Sequence, residues 1–230
     1  MHLSANDIVN EAIKVSGGSV IDTSVIRFNF RDKSYLAKRQ KGQFKLTRKF
    51  EDSLGSIEDV LDNNSFRRFI NNKELSLSDS LSPLYKSSVN SVHYFSVLPY
   101  GLNDEAVLKE YVGKELIEGE EHYKIKVTFK PEGGGEDYED IFIYWFEIES
   151  FKLNYLAYSY NEDDDIGLRF RQAFNERYVN SVRFVDYYNF KPKDDTNSLT
   201  DLAVAFEQDQ LEQVSKIELT NVMVGSVYNE

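Results

Sequence analysis

Two acidic segments contain the residue types that bind divalent cations. Residues 131–140, PEGGGEDYED, surround three consecutive glycines with five carboxylates, those of Glu132, Glu136, Asp137, Glu139 and Asp140. An EF-hand calcium loop requires glycine at its sixth position and glutamate at its twelfth. In the second segment, which begins NEDDDIG at Asn161, glycine falls at the seventh position and Gln172 at the twelfth, so that pattern fails. We predict solvated acidic turns and no metal site, with calcium binding as the open alternative.

Histidine and cysteine offer little local chemistry. The histidines are His2, His93 and His122, and no two of them have the spacing of a zinc-binding helix. The absence of cysteine excludes disulfides and thiolate catalysis. His93, at the end of a predicted helix, could act as an acid or base, although such a histidine more often bonds to the backbone. No nucleophile elbow, phosphate loop or dinucleotide fingerprint occurs, and we therefore predict no catalytic residue and no cofactor.

Aromatic residues are the remaining signal. In residues 141–160, IFIYWFEIESFKLNYLAYSY, eight of twenty positions are aromatic, and the segment predicts a β-hairpin. Its first arm is apolar at every position from Ile141 to Phe146, so both faces must be covered. Ordinary core packing accounts for many of these rings, but tyrosines also suit the wall of a cavity for an amphipathic ligand. The predicted ligand-binding residues are Tyr94, Phe95, Tyr100, Phe142, Tyr144, Trp145, Tyr155 and Tyr158.

The elements that would position these rings follow from periodicity and capping signals. Ser4 and Asp7 form a capping pair that predicts an N-terminal helix over residues 4–17, ended by Gly17. A strand meander over residues 20–75 follows, and a helical insertion over residues 83–108 interrupts it. That insertion consists of a helix from Pro83 to Phe95, capped by Ser82, and a short turn over residues 104–108. Strands resume over residues 110–225, with a helix near residues 200–211.

Two predictions concern individual strands. Ile26, Phe28 and Phe30 alternate with polar residues, and so do the apolar residues of the segment around Leu46, which predicts two adjacent antiparallel strands. Residues 215–224 predict one final strand.

The predicted architecture is mainly β, within the α+β class. A sheet of roughly ten strands must curl or close to shield its edges. We therefore predict a large curved antiparallel sheet, or half-barrel, wrapped around a few helices. A chain of 230 residues with this pattern is typical of a single domain, here residues 1–230.

Charge and hydropathy limit the partners. The formal net charge is −12, which argues against nucleic acid or an anionic membrane surface. No run of apolar residues is long enough for a membrane helix. The start MHLSAND has no charged or apolar leader region, so we expect a cytosolic protein or an exported one whose signal segment has been removed, and favour the second.

Several segments resemble known bacterial proteins. The element order and the hairpin sequences HYKIKVTF and IYWFEIESFKLNYLAY resemble the lipoprotein-carrier superfamily of LolA/LolB type. The segments VNSVHYFSVLPYGLND, GGGEDYEDIFIYW and VRFVDYYNFKPKD are similar to an uncharacterised group of exported bacterial proteins and lipoproteins. The resemblance spans nearly the whole chain and implies a half-barrel with helices in its concave face and a hydrophobic cavity for acyl chains. This chain is longer and richer in tyrosine, so no functional residue is transferred.

We therefore expect a non-enzymatic protein of the cell envelope, periplasmic or associated with the outer membrane, with enzymatic activity left open. Its partner would be a hydrophobic or amphipathic small molecule, such as a lipid or a lipoprotein acyl chain, bound in the concave face of the sheet. We expect a monomer, with a lipid anchor on the native precursor left open. A carbohydrate-binding or carbohydrate-processing module, with Trp145 and tyrosines stacked on sugars, is one alternative. A structural protein with a filled core is the other.

Overall fold

The structure is a computed structural model that describes residues 3–133, 138–162, 165–194 and 198–227. Within these ranges the chain forms fourteen strands in two antiparallel sheets of seven strands, together with four α-helices. The sheets are not closed into a barrel, and the predicted fold class is confirmed, namely mainly β with a large curved antiparallel sheet, or half-barrel, and a few helices. The strands are divided between two sheets and are more numerous than the sequence predicts.

The first sheet contains the N-terminal meander and the last strand, in the order β14-β1-β2-β3-β4-β5-β6. Its strands are β1 Ser24–Phe30, β2 Lys33–Gln40, β3 Gln43–Asp52, β4 Gly55–Asp62, β5 Phe66–Ile70, β6 Lys73–Leu75 and β14 Leu219–Ser226. The prediction that the strands of Ile26 and Leu46 are adjacent is wrong. Strand β2 lies between them, with Ala37 paired to both. This strand escapes detection because its inward positions include a small residue and the cation Arg39, so apolar alternation is weak.

The second sheet has the order β13-β12-β11-β10-β9-β8-β7. Its strands are β7 Val107–Ile117, β8 Glu120–Phe129, β9 Ile141–Glu147, β10 Leu153–Glu162, β11 Asp165–Val179, β12 Val182–Pro192 and β13 Leu211–Ile217. The predicted aromatic hairpin is confirmed as β9 and β10, in which Tyr144 is paired with Leu156 and Phe142 with Tyr158.

The four helices are α1 Ala5–Val15, α2 Gly18–Ile21, α3 Leu81–Ser96 and α4 Leu202–Glu207, and 3-10 turns span Tyr100–Asn103 and Leu199–Asp201. Helix α1 begins with the predicted capping box, in which Asp7 N–H donates to Ser4 Oγ and Ser4 N–H to the Asp7 carboxylate. Gly17 follows it with φ +85°, and a Cβ there would lie 2.3 Å from the carbonyl oxygen of Ser181. Glycine therefore allows α1 and α2 to approach β12 closely.

Three helical boundaries differ from the prediction. Helix α3 starts two residues before Pro83, and its N-cap position is Ser80, not Ser82, although the Ser80 side chain makes no capping hydrogen bond. Proline is tolerated at the third helical position because N–H groups of the first turn have no intrahelical acceptor. The predicted turn over residues 104–108 is present but one residue shorter, since the Val107 N–H donates to the Asp104 carbonyl at 2.9 Å and β7 begins at Val107. The helix near residues 200–211 is shorter, because β13 already begins at Leu211.

The predicted final strand over residues 215–224 is in fact two strands in different sheets. The chain passes from β13 to β14 at Glu218, and apolar Ile217 and Leu219 flank this residue in the order expected within one strand, which hides the crossing in the sequence. The N–H of Leu219 donates a 2.9 Å bond to Asp186 Oδ1, and Arg177 Nη2 donates a 2.7 Å bond to the Leu219 carbonyl. These bonds join the start of β14, in the first sheet, to β11 and β12 of the second sheet.

Apolar side chains form three clusters. The first lies between the second sheet and α1 and includes Phe142, Tyr144 and Phe146. The second lies between the first sheet, α3 and the start of β12. The third packs Trp145 and its neighbours against α4, on the other face of the second sheet. Strand β9 is therefore covered on both faces, as its apolar sequence requires.

Candidate functional site

A cavity of about 420 Å³ lies between helix α3 and the inner face of the second sheet. Its lining is largely aromatic and aliphatic and includes Phe95 of α3, Phe142 of β9, Tyr158 of β10 and Tyr187 of β12. The crossing between the sheets contributes Ile217 and Leu219. A volume of this size falls within the roughly 300–1,000 Å³ typical of small-molecule sites.

The pleat of the aromatic hairpin places its rings in the cavity wall. Alternate residues of β9 face the same side, so Phe142 faces the cavity while its neighbours in sequence face α4. The Phe142 and Tyr158 rings stack across the strand pair at 5.3 Å between centroids. Phe95 of α3 lies 6.2 Å from the first ring and 6.0 Å from the second. These contacts fix the helix to the sheet on one side of the cavity.

Arg171 is the cation of the cavity wall. It lies on β11 opposite Leu156, and only 8% of it is exposed. Its guanidinium carbon is 4.3 Å from the Phe95 centroid and 4.9 Å from that of Tyr158, and Nη2 donates a 2.8 Å hydrogen bond to Tyr158 Oη. Such cation–π contacts stabilise by up to about 2 kcal/mol when desolvated. Within the described residues, no carboxylate pairs with Arg171 and its buried Nε has no hydrogen-bond partner.

Two tyrosine hydroxyls lie beside the cavity. Tyr94 of α3 contributes to the lining, and its hydroxyl is 3.5 Å from that of Tyr144, which is fully buried. Burial raises the pKa of both phenols above the ordinary value. Both groups are therefore neutral at physiological pH and bring polarity without charge. Asp140, just before β9, is the acid of the lining.

A second hollow, of about 290 Å³, lies at the end of α3 beside β2 and β3. It contains Arg39, His93, Tyr100 and Asp104. The Tyr100 hydroxyl donates to Asp22, and the guanidinium carbon of Arg39 is 5.6 Å from the Tyr100 ring.

His93 has a structural environment. It is fully buried, its Nε2 donates to the Thr47 carbonyl at 3.1 Å, and the rings of Phe28 and Tyr35 meet it edge-on. Burial, together with the positive charges of Arg39 and Arg48, lowers the pKa of His93 to about 3. The imidazole is thus neutral and bonds to the backbone. This is the structural role that the sequence analysis favours over a role as acid or base.

The structure brings together four of the eight residues predicted to bind ligand, since Tyr94, Phe95, Phe142 and Tyr158 all line the main cavity. Tyr144 lies beneath the lining, and Tyr100 belongs to the second hollow. Trp145 and Tyr155 do not reach the cavity, because they face α4 on the other side of the sheet.

The prediction missed the cavity residues contributed by other strands, among them Arg171, Val185 and Tyr187. Arg171 occurs in the alternating stretch LRFRQAF, where Arg169 occupies the same face two residues earlier. The pattern alone does not distinguish Arg171, which is buried, from Arg169, which is partly exposed. Their different burial depends on α3, which is distant in sequence.

The acidic segments give no metal centre in the described ranges. There, no group of three or more histidine, aspartate or glutamate residues is placed to hold a cation. Glu136, Asp137, Asp163 and Asp164 lie outside the described residues. No helix in the described part of the chain has the length and apolar character of a membrane span.

Comparisons with known proteins support the fold. A DUF1329 family protein from Desulfovibrio piger superposes with a TM-score of 0.56 at 10% identity, over 100% of this chain and 95% of that one. A LolA superfamily protein from Nitrosomonas europaea superposes with a TM-score of 0.51 at 12% identity, over 98% of this chain and 93% of that one. These likenesses concern the fold alone, and at that level they confirm the resemblance to the lipoprotein-carrier superfamily. No curated protein matches significantly, whereas the model of a family of unknown function matches residues 7–219.

Proposed function

The chain belongs to the family of unknown function DUF6503, and we propose that it is a non-enzymatic binding protein that holds a hydrophobic or amphipathic ligand between α3 and the second sheet. The observation that carries this proposal is the cavity of about 420 Å³ with its aromatic wall. Protein interiors are close-packed and seldom leave apolar space of this size. An apolar chain that enters it gains about 0.8 kcal/mol for each buried methylene.

The fold supports the choice of ligand and of location. The lipoprotein-carrier superfamily, which this chain resembles, encloses acyl chains between a curved sheet and its helices. The cavity described above likewise lies between a helix and a sheet. We therefore propose a lipid or a lipoprotein acyl chain as ligand, and the cell envelope as location. The protein would act as a monomer.

The two alternatives receive less support. A carbohydrate module would need exposed rings, yet Trp145 is fully buried and Tyr155 is only 6% exposed. A purely structural protein would have a filled interior at the concave face, where this chain has a cavity of about 420 Å³.

A cavity-blocking variant tests the proposal. We expect gently purified protein to carry a lipid that native mass spectrometry detects on a monomer, and to bind a fluorescent apolar dye that fatty acids displace. Ser91 of α3 lines the cavity, so Ser91→Trp should fill it and abolish dye binding. Leu84→Trp is the matched control, because Leu84 is on the same helix, 63% exposed and away from the lining. Equal binding by both variants, or no dye binding by the wild type, would overturn the proposal.

A further inference from the structure

We infer that the ligand of this cavity carries an anionic head group, a carboxylate or a phosphate, which Arg171 binds while the apolar part occupies the aromatic side. The inference rests on the proposed function and adds to it the chemical class of the ligand.

The first argument is the unused hydrogen-bonding capacity of a buried cation. A guanidinium has five N–H donors, and here one hydrogen bond, to Tyr158 Oη, is made within the described residues. Nε is buried without an acceptor, although the residue is 92% removed from solvent and lines the cavity. A guanidinium can hold aromatic rings against its faces and oxygen acceptors along its N–H edge at the same time. Phe95 and Tyr158 provide the rings, and an anionic head group would provide the acceptors.

The second argument is the contrast with other buried arginines. Arg48 and Arg68 both pair with Asp59, and Arg183 pairs with Glu176 at 2.6 Å. Arg39, in the second hollow, resembles Arg171 in this respect, since it forms no ion pair with a described carboxylate and its Nη1 is buried without a hydrogen-bond partner.

Arg171 differs from Arg48, Arg68 and Arg183 because no described carboxylate forms an ion pair with it. Burying an uncompensated charge is costly, and the missing partner is supplied if the ligand itself is anionic.

The third argument is the distribution of polarity in the cavity. The lining beyond Arg171 is mostly apolar, with Phe129, Val185 and Ile217 among its residues. The positive charge of Arg171 therefore favours one orientation of the ligand. Its head group would lie at β11 and its apolar chain along β8, β9 and β12.

A series of probes with one alkyl chain and different head groups tests the inference. Laurate, dodecyl phosphate, dodecanol and dodecyltrimethylammonium would each displace the dye, below their micellar concentrations. We expect wild-type protein to bind at least one of the two anions at least tenfold more tightly than dodecanol, a ratio equivalent to about 1.4 kcal/mol. The cation should bind most weakly. The two anions distinguish a carboxylate from a phosphate head group.

Two variants test whether the preference for anionic probes depends on Arg171. Arg171→Gln should bring the affinities for the anion and for dodecanol to within about threefold of each other, whatever the variant does to dodecanol binding itself. Arg169→Gln is the matched control, since Arg169 lies on the same strand and contacts Tyr160 but does not line the cavity. It should retain the full preference.

The outcomes separate this inference from the proposed function. Failure of all four probes to bind would overturn both. Binding of dodecanol as tightly as both anions would overturn the anionic class and leave the hydrophobic cavity standing. An equal loss in both variants would indicate general electrostatic attraction and also overturn the role of Arg171. If Arg171→Gln does not fold, the wild-type series decides alone.

Discussion

The indole N–H of Trp145 donates a 2.7 Å hydrogen bond to Glu115, on the face of the second sheet that lies away from the cavity. The indole is fully buried there, with its ring 5.7 Å from that of Phe170. Its sequence neighbour Tyr144 faces the opposite side, beside the cavity. The two faces of β9 thus belong to different clusters, one packed against α4 and the other against α1 and beside the cavity.

This arrangement predicts that the single tryptophan does not report ligand binding. Laurate at a concentration that fully displaces the dye should leave the Trp145 emission spectrum unchanged, because the sheet separates the indole from the cavity. Fluorescence titration checks this directly.

A second reporter provides the control. In the double variant Trp145→Phe, Phe95→Trp, the indole lies in the cavity wall, and its emission should change on saturation with laurate. A response from Trp145 in the wild type would instead place the ligand between the second sheet and α4.

The architecture was largely predictable because period-two alternation and capping are local signals. The capping box of Ser4 and Asp7 and the aromatic hairpin are formed by residues close in sequence, and both are present. The crossing at Glu218 was not predictable, because a strand has the same alternation whichever sheet it joins. What fixes the crossing is Asp186, more than thirty residues away, through its bond to Leu219.

The site was predictable only in part, for a related reason. An all-apolar strand indicates that both faces are covered, but not which face meets a helix and which a cavity. Phe142 and Trp145 therefore look equivalent in sequence and differ in the structure. The burial of Arg171 depends on its contact with Phe95. Phe95 belongs to α3, which lies far from Arg171 in the sequence.

His93 should make the protein less stable at mildly acidic pH. Its pKa is about 3 in the folded state and about 6.5 when unfolded, so between these values the unfolded chain binds the extra proton. The free energy of unfolding therefore decreases as pH falls below about 6.5. Between pH 7 and pH 5 this one group should account for about 2 kcal/mol.

Urea denaturation at pH 7 and pH 5 measures the effect. His93→Gln cannot take up the proton, so the variant should lose about 2 kcal/mol less than the wild type over this interval, whatever its absolute stability. His122 is present in both proteins and its contribution cancels. An equal loss in both proteins would mean that His93 is not held neutral in the fold.

A buried charge network fastens the first half of α3 to the first sheet. Asp59, with no exposed surface, accepts two hydrogen bonds from Arg48 and two from Arg68, at 2.6 to 2.9 Å. Arg48 also donates a 2.7 Å bond to Ser88 of α3, and the Arg68 guanidinium carbon lies 3.4 Å from the Tyr85 centroid. The helix that closes the cavity is thus held by residues of the first sheet as well as by Phe95.

Asp59→Asn should therefore be strongly destabilising, because it leaves two buried guanidinium groups without a negative charge. Breaking a buried ion pair in this way costs about 3–5 kcal/mol, and urea denaturation should show the loss in one transition, as expected for the single domain that we propose. Glu212→Gln is the matched control, since its pair with Lys191 at 2.9 Å is about half exposed and should contribute about 0–1 kcal/mol. Because the network holds α3, Asp59→Asn should also weaken dye binding at urea concentrations where the variant is still folded, whereas Glu212→Gln should not. Equal stability of the two variants would show that the arginines find other partners, and α3 would then depend on its aromatic contacts alone.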